Sequence, residues 1–223
     1  YKKLKKWNKM EQYEQSMEET ILQLYESLHD PRVEDPNLIG NQLIEIYSNP
    51  DFNVIPILFD IFSSHPKITF RKQASIGLRI CIKECFNQFD EDSIQQIWNV
   101  FFQVFLSEQN DELIQLLVNP AVDLFIQAQI HYQLGFESFG IFVFFQSLVE
   151  ANFVRCLQIL AVFLRENKSS IKIEKDFYEF ILHLLNLSFR YPEKYDIIKE
   201  ILFISDFLMS SDQIEDNIKD EIS

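Results

Sequence analysis

Four histidines and three cysteines are the side chains here best suited to hold a metal or attack a substrate, and their spacing argues against both. His29, His65, His131 and His183 are scattered, with no cysteine or carboxylate partner at a recognisable ligand spacing. His183 lies in the apolar run Ile181-Leu182-His183-Leu184-Leu185, where the ordinary reading is a satisfied or surface imidazole. Cys81 and Cys85 stand four apart and so share a helix face, but no second pair at zinc spacing completes them. With Cys156 they form an odd set without a disulfide framework, which points to buried thiols in a reducing compartment. The carboxylate runs Glu18-Glu19 and Asp90-Glu91-Asp92 have the pattern of a solvated face and a capping turn. Phe101-Phe102 and Phe142-Val143-Phe144-Phe145 read as core rather than as a ligand cage. The motifs GxGxxG, HExxH and GxxxxGK followed by Ser or Thr are absent. No catalytic residue, metal site or cofactor is expected, and the chain reads as a binding surface rather than an enzyme.

The elements that position these residues are helices. Of 223 residues, 47% are hydrophobic and 24% charged, a globular balance, and only four are glycine. A β-sandwich would need many glycine turns, and a nucleotide-binding α/β fold would need a glycine loop. The 22 phenylalanines must fill much of the core. Apolar residues recur at spacings of three and four, and the breaks between them carry helix-end chemistry. The first helix is expected over 11–28, burying Met17, Ile21, Leu24, Tyr25 and Leu28, and Asp30-Pro31 stops it. Pro36 suits the first turn of a helix over 36–47. Asp51, after the break Asn49-Pro50, is expected to cap a helix over 52–63. A long helix over 69–86 turns Phe70, Ala74, Leu78, Cys81, Ile82 and Cys85 inward. Asp92 or Ser93 caps a helix to Leu106, and Asn110 or Asp111 caps one to about Ile130. Gly135 precedes a helix over 136–149, and Ala151-Asn152 opens one to Leu164. A polar loop over 167–173 and helices over 174–189 and 193–209 complete about ten helices in about five hairpins, each starting roughly 40 residues after the last.

A helix pair of this size cannot bury both apolar faces alone, so the pairs must stack. The expected fold is all-α, a right-handed α-solenoid of about five antiparallel pairs over 11–210, with a compact helical bundle as the rival. A basic extension over 1–10 and a charged tail over 211–223 flank it. The basic run Tyr1-Lys-Lys-Leu-Lys-Lys-Trp-Asn-Lys9 reads as a solvated extension or a non-native remnant, and Met10 is a plausible natural start. No apolar run approaches the length of a membrane span. The net charge of −14 repels nucleic acid, so neither a membrane nor a nucleic acid is expected as a partner.

The segment Phe70-Arg71-Lys72-Gln73-Ala74-Ser75-Ile76-Gly77-Leu78 resembles the second helix of a HEAT repeat, with Arg71 placed to bond the preceding turn and Ala74 small enough for close approach. Phe153-Val154-Arg155 is a weaker echo. The aspartate common in the HEAT turn is replaced by Ser64-His65-Pro66-Lys67, which departs from an Asp–Arg ladder. Over 42–106 the chain is similar to the importin-β N-terminal domain of nuclear transport receptors. The similarity rests on Gln42-Leu43-Ile44-Glu45-Ile46-Tyr47, the break Asn49-Pro50-Asp51-Phe52, the segment from Arg71 to Ile82, and Asp90-Glu91-Asp92 before the helix from Ile94. This resemblance implies an N-terminal piece of a longer receptor of the cytoplasm, nucleus and nuclear envelope. It implies that Ran-GTP binds inner helices of the first repeats, that phenylalanine–glycine nucleoporins bind outer helices, and that cargo proteins are carried. Helical spacing places Asn41 and Glu45, then Lys72, Ser75, Arg79 and Lys83, then Gln115, Asn119 and Asp123 on the polar stripes of the second helices. Each set is expected to lie opposite its apolar face, free of any packing role, and together they form the partner strip. A generic HEAT scaffold without Ran binding is the alternative.

Overall fold

A computed structural model of the chain describes residues 2–132, 141–151, 153–166, 175–188 and 195–210. The described residues form α1 (Lys2–His29), α2 (Pro36–Ser48), α3 (Ile55–Ser64), α4 (Ile68–Cys85), α5 (Glu91–Ser107), α6 (Asp111–Tyr132), α7 (Ile141–Ala151), α8 (Phe153–Glu166), α9 (Lys175–Ser188) and α10 (Tyr195–Ser210). A 3-10 turn over Phe86–Gln88 follows α4, and no strand occurs among the described residues. The fold class is all-α. Expectations for Gly135, for Asn152, for the loop 167–173 and for the tail 211–223 fall outside the described residues.

Local chemistry explains the starts of α2 and α6. Asp35 caps α2, its Oδ1 accepting from the N–H groups of Asn37 (3.0 Å) and Leu38 (3.3 Å), with Pro36 in the first turn. Asn110, not Asp111, caps α6, accepting from Glu112 (3.0 Å) and Leu113 (3.2 Å). Three starts differ from expectation. Helix α5 begins at Glu91, so Asp92 and Ser93 lie inside its first turn and do not cap it. Helix α1 begins at Lys2 rather than at residue 11, because the lysine-rich run consists of good helix formers and no proline or glycine precedes Asp30-Pro31. Helix α3 begins at Ile55 rather than Phe52, because Pro56 has no N–H and fits only the first turn. Asp51 therefore caps nothing; its own N–H donates to Asn49 Oδ1 at 3.0 Å.

The chain divides into two compact units, residues up to Asp90 and residues from Glu91. In the first unit α4 is the central helix, packed on α3, α2 and α1. Its residues Phe70, Ala74, Leu78, Cys81, Ile82 and Cys85 are all buried, as the sequence pattern required. In α1 Ile21 and Tyr25 are buried, whereas Met17, Leu24 and Leu28 are half-buried. The Arg71 Nε–H donates to the carbonyl of Phe62 in the last turn of α3, so Arg71 bonds the preceding turn as its position suggested. Ala74 is 0% exposed. Ala74→Phe is expected to overpack this unit by about 1–3 kcal/mol or more, seen as a lower melting temperature; an unchanged melt would show that the site yields space freely.

In the second unit α6 packs on α5 and α8, while α8 packs also on α7 and α10. Rings fill the space between these helices: Phe125 lies 5.5 Å from Phe163, and Trp98 6.5 Å from Phe125. Phe101 and Phe145 are buried and Phe102 is half-buried, while the side chains of Phe142, Val143 and Phe144 fall outside the described residues. Helix α6 is long and apolar enough to cross a membrane by length and composition, which corrects the expectation that no run reaches that size. Its apolar excess has a packing cause here, since 56% of its most apolar window is buried inside the protein.

Candidate functional site

The nine residues of the expected partner strip divide by their actual exposure. On α2, Asn41 and Glu45 are exposed. On α4, Lys83 is exposed and Lys72 and Arg79 are half-buried, but Ser75 is only 3% exposed. On α6, Gln115 is exposed, Asn119 is half-buried, and Asp123 is 9% exposed. Ser75 and Asp123 therefore do not lie on a face free of packing. Ser75 lies on the central helix of the first unit and Asp123 on α6 between α5 and α8, and a helix flanked by others keeps only a narrow solvent arc. Within α2 and α4 the strip retains Asn41, Glu45, Lys72, Arg79 and Lys83; Gln115 and Asn119 belong to the other unit.

A second surface went unnoticed in the sequence, although its signal is plain there. From Ser93 to Ser107 helix α5 carries no charged residue, in a chain that is 24% charged. In that stretch the exposed positions are Gln96, Asn99, Val100, Gln103, Leu106 and Ser107. Amide side chains both donate and accept, and exposed Val100 and Leu106 add apolar contact. Beneath this helix lies an apolar cavity of about 10 Å³ bounded by Trp98, Phe102, Phe105, Val118, Phe145 and Phe163, among others. It is no larger than a water molecule needs. Phe102, at its rim, is half-buried.

Arg155 is buried in α8 and reaches the connection between α5 and α6. Its guanidinium donates to the carbonyls of Glu108 and, at 3.5 Å, Gln109, and pairs with Asp111 at 3.0 Å. An Asp–Arg link between successive helix pairs is thus present in the second unit, although the aspartate is missing from the Ser64-His65-Pro66-Lys67 turn.

The histidines and cysteines differ in exposure. His29, His131 and His183 are exposed; His65 Nδ1 accepts the Lys67 N–H at 3.1 Å, and its ring stacks on Phe70 at 4.7 Å. Among the described residues no three His, Cys, Asp or Glu side chains gather at a metal-binding distance. All three cysteines are free and buried. Burial pushes the Cys156 thiol up to about 12 and raises Cys81 further still, with Cys85 beside it adding to the effect. The Tyr25 and Tyr47 hydroxyls share a buried hydrogen bond of 2.7 Å, and burial raises both phenols. Folding therefore holds these protons while the unfolded chain releases them above the ordinary thiol and phenol range, near pH 8.5 and 10. Stability is full below about pH 8; each buried thiol then removes about 1.4 kcal/mol per pH unit once the pH passes about 8.5, and each buried phenol does so only above about pH 10. Melting temperature should drop between pH 8 and pH 10, and thiol reagents at pH 8 should react only after denaturation. Rapid titration of all three thiols in the native protein would contradict this burial.

No family model, curated protein or solved structure matches this chain.

Proposed function

We propose that this chain is a HEAT-type right-handed solenoid of about five helix pairs, serving as the N-terminal part of a nuclear transport receptor. The solenoid reading is supported by like helices packing on like within each unit. The second helices pack in series, α2 on α4 in the first unit and α6 on α8 on α10 in the second, and the first helix α5 packs on α7. Arg155 ties one pair to the turn of the pair before it. Such stacking makes each pair depend on its neighbours and gives an extended surface suited to reversible association.

The transport reading rests on the resemblance over 42–106 together with two faces. The exposed side of α2, with Asn41 and Glu45, is the part of the strip best placed to meet Ran-GTP. The uncharged face of α5 suits the low-charge phenylalanine–glycine segments of nucleoporins, because amide and apolar contacts do not depend on salt as ion pairs do. Cargo proteins, and a shuttling location between cytoplasm and nucleus, follow from the same resemblance.

Ran loaded with GTP or GDP, immobilised and offered the purified chain, tests this reading. Capture by the GTP form alone is expected. Glu45→Lys with Lys83→Glu should weaken capture by about tenfold or more while leaving the melting temperature nearly unchanged, since rim charges contribute to recognition more than to folding. Lys83 is exposed whereas Arg79 is half-buried, so reversal at Lys83 changes binding without changing packing at the same time. Unchanged capture in the double variant would move the contact elsewhere. No capture of the wild type would leave a HEAT scaffold that binds other partners.

A further inference from the structure

We draw no further inference here: the strongest candidate, the N-terminus of α4, which no side chain caps and which His65 and Lys67 flank, carries nothing because a helix N-terminus alone names no ligand and Lys67 is already paired with Glu26 at 3.0 Å.

Discussion

Gly77→Leu is expected to destabilise the first unit by about 3 kcal/mol or more, lowering its melting temperature by about 10 °C or more. Gly77 sits in the middle of α4, where glycine is otherwise a poor helix former. A Cβ placed there would stand 2.9 Å from the Tyr47 Cζ and 3.1 Å from a Leu58 methyl. The contact is with the body of a buried ring that cannot swing aside, because the Tyr47 hydroxyl is bonded to Tyr25 at 2.7 Å. The Cys85 thiol also donates to the Tyr47 carbonyl at 3.5 Å, fixing the backbone behind the ring. Even Gly77→Ala should lose stability, although alanine favours the helix by about 1 kcal/mol. Gly40 supplies the control. Nothing lies within 4 Å of a Cβ built there, so Gly40→Ala in α2 should raise stability by about 0.5–1 kcal/mol. Thermal melts by circular dichroism separate the two. A stabilised Gly77→Ala would mean that α2 and α4 do not approach as closely as this.

The difference between these glycines marks the limit of what the amino-acid order discloses. Signals that act within a few residues were readable: Pro36 in a first turn, a cap at Asn110 or Asp111, and the inward set of α4 from Phe70 to Cys85. Ten helix positions followed from such signals, because apolar period and cap chemistry are both local. Pro56 was equally local, but a capping role assigned to Asp51 obscured it. Gly77 needed Tyr47 and Leu58, which reach it only after α2, α3 and α4 have packed together. In the segment from Arg71 to Leu78, Ala74 was singled out as the small residue, and Ala74 is indeed buried. The tightest approach belongs to Gly77, three residues on.

The partner strip shows the same limit in its surface form. A helical wheel gives each helix one buried side, and that holds for α2, whose Asn41 and Glu45 are exposed. It fails for a helix enclosed by several neighbours. Contact with α1, α2 and α3 leaves α4 a narrow exposed arc, and Ser75 falls outside it. Asp123 meets the same fate on α6, between α5 and α8. The charge-free stretch of α5 was visible in the sequence from the start. It went unused because an uncharged helix looks like core until its exposed positions are known. Fold class is therefore far more legible here than a binding partner is, since packing leaves a periodic trace and recognition leaves only an exposed remainder.

Arg155→Ala should cost the second unit about 2–4 kcal/mol, the largest loss expected from any single polar residue of that unit. The guanidinium bonds two main-chain carbonyls and one carboxylate at the connection between α5 and α6. Hydrogen bonds from a charged donor are stronger than neutral ones, and the planar fork can serve several acceptors at once. Its removal strands the half-buried Glu108 carbonyl and opens a gap at the start of α8. Asp111 contributes much less, because its side chain is 61% exposed and the pair is screened on that side. Asp111→Ala is therefore expected to cost about 1 kcal/mol or less, with the carbonyl bonds still in place. Arg155→Lys keeps the charge but replaces the planar fork with a compact ammonium that cannot span the same three acceptors, so it should lose most of what Arg155→Ala loses. Equal effects for Asp111→Ala and Arg155→Ala would assign the stabilisation to the ion pair instead. A loss under about 0.5 kcal/mol for Arg155→Ala would remove the tie between successive pairs, and with it a main support for the solenoid.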